Sequence, residues 1–83
     1  MSAMTIDRRL FERARSSPHT LGFQAALRLS RQLGFQQVRH VRGHRVLRHA
    51  MHGPLSMQEG PGGRAKAYQV RCLLGAAPGH SRG

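Results

Sequence analysis

Residues 39–52 read Arg39-His40-Val41-Arg42-Gly43-His44-Arg45-Val46-Leu47-Arg48-His49-Ala50-Met51-His52, and two folds compete for them. Arg39, Arg42, Arg45 and Arg48 recur every third position, which would draw one stripe along a helix. Strand alternation instead puts Leu47, Met51 and the stem of Arg45 on one face, with His44, Val46 and Arg48 on the other. Gly43 weakens any helix here and the valines favour extended backbone. The stretch therefore predicts a β-hairpin that turns at Arg42-Gly43. Gly53-Pro54 then marks a second turn, and Leu55-Ser56-Met57-Gln58 a short third strand.

Helical periodicity flanks this extended block. Over residues 7–15, Leu10, Phe11 and Ala14 recur at helical spacing, with Asp7 at the start, where the helix dipole favours an anion. Ser16-Ser17-Pro18 ends the run, because proline cannot continue it. Over residues 21–33, Phe23, Ala26, Leu29 and Leu33 share one face, and Gly34 follows as a stop with positive φ. Gly60-Pro61-Gly62-Gly63 reads as a loop and residues 65–74 as a last helix, with Tyr68 and Cys72 one turn apart. Helices, then three antiparallel strands, then a helix give an α+β domain with the helices packed on one face of the sheet. Phe23, Leu29, Leu33, Phe35, Leu47 and Val70 are the expected core. One domain spans residues 1–74, and residues 75–83, rich in Gly, Pro and Ser, read as a disordered tail.

The charge balance points to the partner. The 83 residues carry 14 Lys and Arg against 3 Asp and Glu, a formal net charge of +11. All these cations except Lys66 are arginine, whose forked donors fit phosphate. Such a field draws in nucleic acid or an anionic membrane surface. Histidine among the arginines adds a group that exchanges protons near neutral pH. RNA, a polyanion with a cleavable phosphodiester, would use both. Cys72 stands alone, so no intramolecular disulfide forms and a reducing compartment is the simpler expectation. No run is apolar enough to cross a bilayer or serve as a signal peptide, so a cytoplasmic protein without a membrane partner is expected. His40, His44, His49 and His52 lack the spacing of a zinc finger and no carboxylate interleaves them, so no metal or other cofactor is assigned.

Several strings resemble one known family. Leu33-Gly34-Phe35, the basic hairpin around His44, and Gly62-Gly63-Arg64-Ala65-Lys66-Ala67-Tyr68-Gln69-Val70-Arg71 are similar to the HicA family of bacterial toxins, over residues 10–71. These are small mRNA interferases paired with an HicB antitoxin. The resemblance implies a double-stranded-RNA-binding-like fold and metal-independent cleavage of mRNA by one histidine on the second strand. It also implies an HicB-like antitoxin as protein partner. That histidine falls on His44, with Val46-Leu47 as the apolar pair after it. The family's Gly-Ser-His becomes Arg42-Gly43-His44 here, so the serine is missing. After Arg71 the family continues through a longer helix, whereas this chain turns to Gly75-Ala76-Ala77-Pro78.

The expected roles follow from residue type. His44 would act as acid or base at the ribose 2′-hydroxyl or the leaving oxygen. Arg48, which shares its strand face, would hold the phosphate. Arg39, Arg42 and Arg45, together with Lys66 and Arg71 on the last helix, would bind RNA. Two readings stay open: an endoribonuclease toxin, or an RNA-binding module or inactive toxin remnant that does not cut.

Overall fold

The computed structural model describes residues 6–77. The first helix, α1 (Arg8–Ser16), starts where Asp7 accepts the N–H groups of Arg9 and Leu10 at 3.1 and 3.2 Å. These bonds satisfy two donors that a helix start leaves unpaired. Leu10 and Ala14, one turn apart, are its buried stripe. Pro18 then opens a short 3₁₀ turn, Pro18–Thr20.

The second helix, α2 (Phe23–Gln32), buries Phe23, Ala26, Leu27 and Leu29. Its end is set by Leu33-Gly34-Phe35. Gly34 adopts φ +100°, its N–H donates to the Arg31 carbonyl, and the Phe35 N–H donates to the Ser30 carbonyl. That pair of bonds is a Schellman closure, which needs a left-handed residue and so favours glycine. Phe35 is thereby turned back into the core, 4 % exposed.

Three antiparallel strands follow, β1 (Gln36–Val41), β2 (His44–His49) and β3 (Gly53–Gln58), in the order β1-β2-β3. Arg42 and Gly43 both have positive φ, +51° and +80°. This is the backbone of a tight two-residue hairpin whose twist matches its strands. A bulge at Val38 shifts the register between Gln37 and Arg39. Leu47 and Met57 point toward the helices and are buried, while His44 and Arg48 on the opposite face are exposed.

The second turn differs from its expected place. Ala50, Met51 and His52 make it, and Gly53 and Pro54 already pair with His49 and Arg48. Met51 is therefore not on the inner strand face but at the turn, 85 % exposed. His49 is the cause: its Nδ1 accepts the N–H groups of both Met51 and His52, at 3.0 and 3.3 Å, which curls the chain before alternation reaches Met51.

The last helix, α3 (Ala67–Leu74), starts two residues later than expected. The Ala65 backbone is already used, bridged to Glu59 and donating its N–H to the Leu21 carbonyl. Val70, Leu73 and Leu74 form its buried stripe, leaving Cys72 exposed and Tyr68 60 % exposed. The chain stays packed past residue 74. Ala76 and Ala77 are buried against the core, so the ordered part of the domain extends beyond the expected boundary. The rest of the expected tail, residues 78–83, lies outside the described residues.

All six residues expected in the core are buried, joined by Leu10, Leu21, Met57 and Leu73. The arrangement is α+β, with the helices on one face of an open sheet. The outer face is left to solvent.

Candidate nucleic-acid interface

Strand register builds the outer face as a grid of three rows. Val41, His44 and Gln58 lie opposite one another, then Arg39, Val46 and Ser56, then Gln36, Arg48 and Pro54. Directly opposed residues share a face. None of the nine positions is a carboxylate. The acidic residues lie elsewhere: Asp7 caps α1, Glu12 pairs with Arg15 at 2.8 Å, and Glu59 follows β3. The Arg15 hydrogen bond and charge hold the Glu12 carboxyl below its usual range. This face is thus positive without internal neutralisation.

His44 sits in the row nearest the hairpin turn, exposed, with its Nδ1 3.4 Å from the Ser56 hydroxyl. A hydroxyl suits either tautomer because it both donates and accepts. Among the described residues His44 Nε2 has no protein partner, so that nitrogen is open to a ligand. Ser56, on the neighbouring strand, thus sets a hydroxyl beside the ring.

Register also changes which arginine stands nearest. Arg48 is four residues along β2 from His44, about 13 Å at the usual strand rise. Arg39 opposes Val46 and so lies one diagonal from His44, about 7–8 Å between backbones. Arg42 occupies the adjoining turn. Arg39 and Arg42 therefore flank His44 more closely than Arg48 does. Lys66, at the N-cap of α3, donates to Gln58 Oε1 at 3.0 Å, which brings its ammonium beside the same row.

Arg45 is placed differently from its expected role. Its guanidinium carbon lies 5.6 Å from the Phe23 ring centroid, a cation–π distance. Its Nε donates to His40 Nε2 at 3.2 Å and its Nη1 to Gln37 Oε1 at 3.3 Å. These bonds hold it on the helix side of the sheet, away from His44. Arg71 is exposed on α3, and no hydrogen bond ties it to the outer face.

His49 is likewise on the inner side. Its Nε2 is 3.1 Å from the Leu33 carbonyl oxygen while its Nδ1 accepts two backbone N–H groups. Because a carbonyl only accepts, Nε2 must carry the proton and neither ring nitrogen is free. His52 packs edge-on against it, with ring centroids 4.6 Å apart. Among the described residues no three His, Cys, Asp or Glu side chains converge as a metal site. No helix among them is long and apolar enough to cross a membrane.

Alternation along β3 could have revealed Ser56, since Pro54, Ser56 and Gln58 share a face. Only the pairing partner of each was missing. Comparison with family models, curated proteins and solved structures gave no match.

Proposed function

We propose that this protein binds single-stranded RNA across the outer sheet face and cuts it at His44, as an mRNA interferase of the HicA kind acting in the cytoplasm. An HicB-like antitoxin would hold it in check. The observation that carries the reading is one exposed imidazole with a free Nε2 on a carboxylate-free face, flanked by Arg39 and Arg42. The resemblance of residues 10–71 to the family supports it independently.

In the proposed reaction His44 Nε2 takes the proton of a ribose 2′-hydroxyl. The oxygen attacks the adjacent phosphorus, the bond from phosphorus to the 5′-oxygen breaks, and a 2′,3′-cyclic phosphate forms. Arg39 and Arg42 stabilise the charge that develops on the phosphoryl oxygens. His49 takes no part, because both its nitrogens are bound on the other face. Water at the exposed face protonates the leaving 5′-oxygen, and the hydroxide left behind takes the proton held on His44, which restores both. No metal is assigned a role.

A module that binds RNA without cutting is the second reading. It is favoured by the exposure of His44 and by the lack of any second acid–base group in the grid. One experiment separates the two. The intact chain is incubated with a single-stranded RNA and with the same strand made as DNA, which lacks the nucleophile. Cleavage of RNA alone, ending in cyclic phosphate, supports the enzyme. Binding of RNA with no cleavage supports the module, and equal cleavage of DNA sinks the 2′-hydroxyl mechanism.

A further inference from the structure

β1 has less cover than any other strand. Every residue of Gln36–Val41 is exposed, and Val38 and Val41 leave 50 % and 41 % of their surface to solvent. As an outer strand, it turns roughly half of its peptide N–H and C=O groups away from β2, with no strand among the described residues to receive them. The other outer strand is protected. Pro54 in β3 has no N–H to offer, the Gln58 N–H is taken by Gln69 Oε1 at 3.0 Å, and Glu59 bridges to Ala65.

The open edge is charged in one sense. Arg39 lies on it and Arg42 directly follows it, and no carboxylate occurs anywhere between Glu12 and Glu59. A second copy of this chain is a poor occupant. Antiparallel pairing of two β1 strands would bring Arg39 of each copy close to the other, each chain bearing +11, and like charges brought together destabilise a ladder. RNA has no peptide groups to complete the ladder.

We propose that the free edge of β1 receives an extended acidic segment of a partner protein, added as a fourth strand. The segment's peptide groups complete the ladder, and its Asp or Glu side chains share the outer face with Arg39 and lie near Arg42. Main-chain bonding supplies affinity and the side chains supply selection. Occupancy lays carboxylates over Arg39, the cation one diagonal from His44, and so competes with phosphate there. The inference holds whether or not His44 cuts RNA.

The test uses the full chain and an end-blocked peptide of about eight residues that alternates Glu with Val, long enough to span the strand. Amide hydrogen exchange followed by NMR should show new protection in residues 36–41, and none in residues 53–58. N-methylation of alternate peptide bonds keeps the charge but removes donors, and should weaken binding on the order of tenfold. An Arg39→Glu variant, checked for a cooperative melt, should lose affinity for this peptide and gain it for one alternating Lys with Val. Failure of the Glu/Val peptide to bind at low salt would overturn the proposal. So would equal binding of the N-methylated form, which marks mere charge attraction, or protection confined to another element. A concentration-dependent dimer that protects residues 36–41 without peptide would assign the edge to a second copy instead.

Discussion

His49 Nε2 lies 3.1 Å from the carbonyl oxygen of Leu33, so the last residue of β2 is fastened to the C-terminal cap of α2. The same ring closes the turn into β3 and stacks edge-on with Phe35 at 4.9 Å between centroids. One side chain thus couples a helix end, a strand end and a turn. A backbone carbonyl left without a donor and two N–H groups left without an acceptor are what its loss would expose.

His49→Ala should therefore lower stability by about 1–3 kcal/mol, read by denaturant or thermal unfolding. Gly34→Ala should destabilise too, since Gly34 has φ +100° and an added Cβ would come 3.0 Å from His49 Nε2. The double variant should be less destabilised than the sum of the two, because removing the ring removes the clash. Strict additivity would show that the two sites are not coupled.

Leu29→Ala should lower stability by about 2–5 kcal/mol, since Leu29 is fully buried where α2 meets the core. In a domain this small such a loss leaves a large unfolded fraction. A change below about half a kcal/mol would mean that α2 is not docked as described.

RNA affinity should fall steeply with salt, with log K linear in log salt. Arg39→Gln should weaken binding to all sequences and flatten that slope by about one phosphate contact. Arg45→Gln should leave the slope unchanged and act on stability, because Arg45 is held over Phe23 by His40 and Gln37. Equal effects of the two substitutions on the slope would contradict the separation of faces.

His44→Ala should reduce RNA cleavage on the order of 10²–10⁴-fold, with RNA affinity nearly unchanged, as for a lost acid–base group. Ser56→Ala should reduce the rate only a few-fold, because the hydroxyl orients the ring and touches no reacting atom. EDTA should leave the rate unchanged. Cleavage that needs added divalent ions, or that survives loss of His44, would refute the assignment.

Much of this fold is decided by short-range chemistry and is therefore legible in the residues themselves. Leu33-Gly34-Phe35 ends α2 because only a left-handed residue allows that closure. Arg42-Gly43 turns the hairpin because both positions take positive φ. Alternation alone puts His44 and Arg48 on one face and Leu47 on the other. What needed the tertiary structure was every relation between segments distant in sequence. Alternation carries Met51 inward, but bonds to the His49 ring turn the chain first. Helical spacing favours a core position for Tyr68, but the docking of Val70 and Leu73 leaves it exposed. The register of β3 on β2 brings Ser56 to His44, and the bulge at Val38 sets Arg39 one diagonal away. Local sequence fixes dihedral angles and faces, whereas register and docking come from matching surfaces that a single segment does not contain.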